Sequence, residues 1–207
     1  GLRVPPGKVL VVSDEDPEEL MLWRFKNIAT EYGLNIDAII RNVRMIDATE
    51  AQPIMREVSE RGIKSVQPTQ DGSDLVAMIT GEKFDLVLID NTSDAFDGDE
   101  NNRRQVRQFV RYLAGAIRVH HGALLLLAHI DKTAARYGSA GNSYSGSTAW
   151  HNSVRSRLAL IDSELRQEKL NVGKPMEATI KLRFSSRGVP VLDSMGGDET
   201  REREHED

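Results

Sequence analysis

Phe84-Asp85-Leu86-Val87-Leu88-Ile89-Asp90 is an apolar run closed by one acid, and downstream of it Ala123-Leu124-Leu125-Leu126-Leu127-Ala128-His129 is a second apolar run closed by one polar group. Both faces of a central parallel strand are covered, so such strands read as unbroken apolar runs and not as alternation. Ligands bind at the carboxyl ends of these strands. The two runs therefore deliver Asp90 and His129 to one sheet edge. A third strand matches them: Lys8-Val9-Leu10-Val11-Val12-Ser13 opens onto Asp14-Glu15-Asp16. Three strands that each end in reactive side chains point to a nucleotide-hydrolysing site.

Composition is compatible with this. The chain has 207 residues, which suits one large domain with a substantial core. Its formal charge of -5 argues against a generally basic nucleic-acid coat and leaves room for local patches that bind phosphate. Cysteine is absent, which removes disulfides, thiolate zinc sites and cysteine nucleophiles together. No apolar stretch approaches the roughly 18 to 20 residues of a membrane span, and nothing resembles a signal peptide. A soluble cytoplasmic protein without membrane contact is the expectation. The first residue is Gly1 and not Met, which leaves a processed product or a fragment open.

Strand and helix signals alternate as in an α/β domain. Pro17 to Tyr32 reads as a helix, with Asp16 as N-cap, Pro17 at N1, Glu18 and Glu19 complementing the dipole and Gly33 closing the C-terminus. Leu20, Trp23, Phe25 and Ile28 would face the sheet, Trp23 as packing. Ala51 to Arg61 and Asp74 to Ile79 read as shorter helices, with a strand around Lys64 to Gln67 between them. From Asn101 to Val119 the pattern is stronger: Val106, Phe109, Val110, Leu113 and Ile117 recur at helical spacing and leave Arg103, Arg104, Arg107, Arg111 and Arg118 outside the stripe. A solvated face, its arginines paired with Asp94, Asp97, Asp99 and Glu100, is preferred there to a phosphate site.

Asp131 to Ser147 is rich in Gly, Ser, Ala and Asn and reads as a long loop at the functional edge. Arg157 to Leu165 and Glu177 to Phe184 alternate as strands, with Gly173, Lys174 and Pro175 near the turn between them. From Ser194 the chain is glycine-rich and then charged, the composition of a disordered tail. There is no internal repeat.

At this point the residues carry a resemblance. The order Val9-Leu10-Val11-Val12-Ser13-Asp14-Glu15-Asp16-Pro17, Leu88-Ile89-Asp90, Leu126-Leu127-Ala128-His129-Ile130-Asp131-Lys132 and Ser145-Gly146-Ser147-Thr148-Ala149-Trp150 resembles RecA-like ATPases of the plasmid RepA replicative-helicase type. Each motif is short; their joint order is what is specific. The resemblance implies an α/β, RecA-like P-loop NTPase core over residues 1–192, with a mostly parallel central sheet flanked by helices and antiparallel strands at its C-terminal end. Residues 193–207 form the charged tail.

It also implies roles. Hydrolysis of ATP needs an activated water in line with the γ-phosphate, neutralisation of phosphoryl charge and a magnesium ion. Glu15 resembles the catalytic glutamate that orients or deprotonates the water. Asp90 resembles the Walker B aspartate that steadies Mg2+, through water. His129 resembles the residue that senses the γ-phosphate and relays its loss to the following loop. A helix-cap cluster at Asp14 to Asp16, a turn-forming Asp90-Asn91 and a satisfied strand-end histidine are the competing structural readings. Relatives of this kind form rings, commonly hexamers, in which a basic residue of the neighbour completes the site as an arginine finger. Lys181, Arg183 and Arg187 are the candidates, Arg187 preferred at its strand end; an ordinary turn arginine is the competing reading. Single-stranded DNA would be held in the central channel by Lys132, Arg136, Tyr137 and Tyr144 of the long loop.

One element is missing. Nowhere does the chain contain Gly-x-x-x-x-Gly-Lys-Ser/Thr, the loop that wraps phosphates in backbone N–H groups. Gly7-Lys8 is followed by Val9 and introduces a strand; Gly81-Glu82-Lys83 fails as well. In the family this loop lies just upstream of where the present sequence begins, so the expectation is a strand, loop and helix preceding Gly1. The alternative is a non-catalytic oligomeric or regulatory module that has lost nucleotide binding.

Overall fold

The computed structural model describes residues 6–129, 148–174, 176 and 178–193. In chain order the elements are β1 (Val9–Ser13), α1 (Glu18–Glu31), α2 (Ile36–Asn42), β2 (Val43–Asp47), β3 (Met55–Glu60), β4 (Ile63–Pro68), α3 (Gln70–Gly81), β5 (Leu86–Asp90), α4 (Thr92–Ala95), β6 (Phe96–Asp97), α5 (Arg103–Arg118), β7 (Ala123–Leu126), α6 (Thr148–Ser153), β8 (Ser156–Ile161), β9 (Glu164–Leu170), β10 (Ile180–Phe184) and β11 (Pro190–Leu192).

The three apolar runs are neighbours in one parallel sheet of order β2-β1-β5-β7. Leu10 lies opposite Val87 and Val87 opposite Leu124; Val12 lies opposite Ile89 and Ile89 opposite Leu126. These rows form the core face, joined by Ile79 of α3 and by Val106, Phe109, Leu113 and Ile117 of α5, so the helical stripe read from the sequence is the buried one. Alternation sends Val11, Leu88 and Leu125 to the opposite face. There Val11 is 8% exposed and Leu125 40%, so cover on this side thins toward β7. α1 packs against α2 and β2. Trp150 of α6 closes the core by packing edge-on to both Phe96 and Phe109, its centroid 5.9 Å from each of theirs.

Beside the main sheet stands a small sheet of order β4-β3-β6, and after α6 comes an antiparallel sheet of order β11-β10-β9-β8. The mostly parallel sheet with flanking helices and late antiparallel strands is the expected α/β class.

Several local expectations are corrected. Pro17 occupies the N-cap of α1 with no side-chain cap, and the Asp16 carboxylate instead pairs with Arg24. Trp23 is 57% exposed, while Met21 and Ala29 are the buried residues of α1. Gly33 does close the helix: at φ 62° it lets its own N–H reach Thr30 O and the Leu34 N–H reach Ala29 O. The segment expected as a helix from Ala51 to Arg61 contains β3, paired with β4 across a two-residue turn in which Arg61 and Gly62 both have positive φ. The strand expected from Arg157 to Leu165 is broken by the turn at Asp162 and Ser163, which joins β8 to β9. The α2–β2 unit and α4 were not expected. The tail from Ser194 lies outside the described residues.

Gly72 sits in the first turn of α3 where a Cβ would lie 2.0 Å from Ile54 O, a backbone atom that cannot rotate away. Gly72→Ala is therefore expected to lower stability in urea unfolding by about 1–3 kcal/mol, the scale of overpacking, despite alanine's better helix propensity.

Candidate functional site

The parallel register decides the site. Ser13 and Asp90 are partners at the carboxyl ends of β1 and β5, and the Asp14 N–H donates to Asp90 O at 2.6 Å. Beyond β7, pairing continues long enough for Leu127 N–H to reach Ile89 O at 3.0 Å and for Leu127 O to accept from Thr92 N–H at 2.9 Å. This carries the chain to His129 directly above the same edge. His129 Nε2 stands 2.6 Å from Glu15 Oε1.

Asn91 fastens the arrangement from below. It is 2% exposed; its Nδ2 donates to Glu15 Oε1 at 2.7 Å and to Asp94 Oδ2 at 2.9 Å, while its Oδ1 caps α4 by accepting from Ser93 and Asp94 N–H. The Asp90–Asn91 peptide is cis. Glu15, Asp90 and His129, inferred from strand ends, are thus brought together. Asn91, Asp94 and Arg24 were missed as site residues. The cap-like Asn91-Thr92-Ser93-Asp94 was the available signal for the first two.

Other expected residues are not part of this cluster. Arg187 lies in the turn between β10 and β11, with its guanidinium 3.5 Å from Glu31 Oε2. Glu31 ends α1 and Glu15 precedes its start, about 20 Å away along a helix of that length. Arg187 therefore does not join Glu15 within one subunit, and Lys181 and Arg183 are exposed on β10. Lys132, Arg136, Tyr137 and Tyr144 lie outside the described residues. The rejection of Gly7-Lys8 as a phosphate loop agrees with its packing: the Lys8 N–H donates to Asp85 Oδ2 at 2.8 Å, and a Cβ on Gly7 would meet that same oxygen at 2.8 Å.

Residues 1–135 match the profile of a protein family described as AAA domain. The chain belongs to that AAA domain family. No curated protein matches the sequence. Among solved structures, the RadB recombinase superposes with a TM-score of 0.54 at 16% identity, over 88% of this chain and 78% of that one. A second solved structure, an isolated ATPase domain, superposes with a TM-score of 0.56 at 14% identity, over 89% and 74%. These likenesses establish a RecA-like fold.

In this AAA domain the electrostatics of the edge are uneven. Burial, reinforced by the charges of Asp94, Asp90 and Glu15, pushes the Asp14 carboxyl up to about 7, and its buried Oδ2 has no hydrogen-bond partner among the described residues. Burial first, and then Glu15 and Asp16, raise Asp90. Glu15 moves the other way: the hydrogen bond with His129 holds it below the usual glutamate range, helped by the His129 charge, Asn91 and Arg24. The same bond raises His129. The pair is a charge-assisted hydrogen bond on a histidine whose side chain is 70% exposed, so it can be broken without disturbing the core.

Among the described residues no three His, Asp or Glu side chains form a self-sufficient metal cage. Asp90 is half-buried and its carboxylate accepts no hydrogen bond from them. That fits Mg2+, which takes one or two carboxylates and fills its shell with water and phosphate oxygens.

Two measurements check this electrostatic picture. In an NMR titration His129 is expected to titrate above its ordinary 6.5, and in Glu15→Gln to fall back toward it. For Asp14, the folded protein binds the extra proton between the unfolded value of 3.8 and about 7, so stability declines as pH rises through that window. Asp14→Asn should raise the thermal midpoint at pH 8 and lose that advantage near pH 4.

Proposed function

We propose that this AAA domain is the ATP-hydrolysing core of a ring-forming replicative helicase or single-stranded DNA translocase of the RepA type, turning ATP and water into ADP and phosphate. The observation that carries this reading is the Glu15–His129 contact above Asp90 at one strand-end edge. Glu15 would orient and deprotonate the attacking water. Its depressed pKa makes it a weak base while His129 holds it, so a γ-phosphate that draws His129 away would free Glu15 for chemistry. Asn91 keeps the carboxylate aimed during that exchange. Asp90 would hold Mg2+ through water, and the ion would supply neutralisation of phosphoryl charge.

A phosphate loop remains necessary, because a triphosphate needs backbone N–H donors that this edge does not offer. We place it on a strand preceding Gly1. Supporting this, β7 is an edge strand among the described residues, paired only with β5, and Leu125 in it and Leu127 just after it are 40% and 37% exposed. An added strand and helix would pair that edge and cover that face. A neighbouring subunit would bring Arg187, or Lys181 or Arg183, to the phosphates from outside, and Lys132, Arg136, Tyr137 and Tyr144 would hold single-stranded DNA after His129. Residues 1–192 form the core in this reading, residues 193–207 the tail.

The bare 207-residue chain is expected to bind magnesium-ATP very weakly in calorimetry, and the protein extended upstream to bind it well; micromolar binding by the bare chain would contradict the missing-loop assignment. In the extended protein Glu15→Gln should keep ATP binding but lower turnover roughly 100-fold or more, the scale of a lost general base. Wild-type turnover in that variant would leave Glu15 a helix-cap neighbour and favour the non-catalytic module. Replacing Lys132 and Arg136 together by Ala should abolish DNA stimulation while basal turnover persists.

A further inference from the structure

The outer face of α5 carries a charge pattern that the nucleotide site does not use. The helix contains Arg103, Arg104, Arg107, Arg111 and Arg118 and no acid, in a chain whose formal charge is -5. Its exposed residues are those arginines and Gln108 alone. Of the nearby acids, Asp94 accepts from Asn91, Asp99 from the Asn101 N–H, and Glu100 from Ser93. Among the described residues the guanidinium groups of Arg104, Arg107, Arg111 and Arg118 have no ion-pair or hydrogen-bond partner. Arg103, Arg104, Arg107, Gln108 and Arg111 line an open groove of about 540 Å³.

Keeping like charges this close on one helix destabilises it by a few tenths of a kcal/mol per pair. That cost is recovered only when an anion lies across them. Arg104, Arg107 and Arg111 are spaced about 4.5 and 6 Å along the axis at 1.5 Å per residue, with Arg118 about 10 Å further on. An anion that engages all of them is extended and repeats its charge at intervals of that order. Guanidinium forks take phosphate oxygens two at a time.

An acidic protein surface is the competing partner, but protein interfaces centre on apolar or aromatic anchors, and the exposed positions of this face offer none. The lack of an aromatic also excludes base stacking here, leaving contacts to the backbone alone.

We propose that the outer face of α5 is a nucleic-acid backbone-binding surface, sequence-independent, salt-sensitive and built from residues other than those of the segment Asp131 to Ser147. It does not depend on ATP hydrolysis or on the phosphate loop, so the chain as it stands can be tested.

Binding of the 207-residue chain to a fluorescent single-stranded oligonucleotide, to a duplex of equal length and to poly-glutamate is measured by anisotropy against salt. Arg104→Gln/Arg107→Gln/Arg111→Gln should keep its thermal midpoint, because these exposed side chains have no ion-pair or hydrogen-bond partner among the described residues. It should also flatten the slope of log affinity against log salt by roughly 2 to 3, at about 0.7 per lost contact on single strands and 0.9 on duplex. The corresponding Lys triple variant should retain most of the slope. Preference between the two oligonucleotides identifies which form of the phosphodiester backbone is bound. Unchanged nucleic-acid binding in the Gln triple variant, or poly-glutamate binding as tightly as DNA, overturns the proposal. A triple variant without effect beside a Lys132/Arg136 variant that loses DNA would leave the loop reading standing and this one refuted. The reverse pattern would do the opposite.

Discussion

β1 and β5 pair in parallel with their carboxyl ends level, and that register is the constraint on which the rest depends. It is held by apolar burial: Leu10, Val12, Val87 and Ile89 point to the core face and are all at most 3% exposed. Fully burying such a side chain contributes about 1.5–3 kcal/mol. A slip of one residue would turn every one of them to the other face, so the register is specified by several residues acting together. With the strands fixed, Asp14 to Asp16 must emerge beside Asp90 and Asn91. The additional pairing at Leu127 then sets His129 over Glu15. The polar site is thus positioned by residues that take no part in its chemistry.

What could be read from the sequence follows from which physical signal each element carries. The three central strands were legible because strands buried on both faces leave unbroken apolar runs. α5 was legible because five buried residues keep the helical period over its length. β3 was misread as helix: it lies in a small sheet, partly exposed, and its turn is Arg61-Gly62, without the usual Asn or Asp. The α2–β2 unit was missed because Asn42, the last residue of the helix, is followed directly by Val43 of the strand, with no turn residues between them. Trp23 was assigned to the interior on hydrophobicity alone, yet on α1 it is 57% exposed.

At the site, strand-end position made Glu15, Asp90 and His129 visible. It could not reveal Asn91, whose bond to Glu15 spans 76 residues and exists only once β1 and β5 are side by side. The phosphate loop presents the opposite case. Its absence was plain from the sequence, and the structure adds that among the described residues β7 is an edge strand, with Leu125 in it and Leu127 just after it exposed. The acidic edge is why the proposed nucleotide site calls for such a loop. Asp14, Glu15, Asp16, Asp90 and Asp94 would repel a triphosphate, so its binding would draw on cationic and N–H groups from elsewhere.

The central claim is that Glu15 and His129 act as one unit in which the histidine restrains the base until phosphate arrives. A double-mutant cycle on single-turnover ATP hydrolysis, using Glu15→Gln, His129→Ala and the double variant of a protein extended upstream with the proposed phosphate loop, measures this directly. The account expects the double variant to be no slower than Glu15→Gln alone, because a histidine that works through Glu15 has nothing left to regulate. Losses that multiply would show two independent groups, and would contradict it.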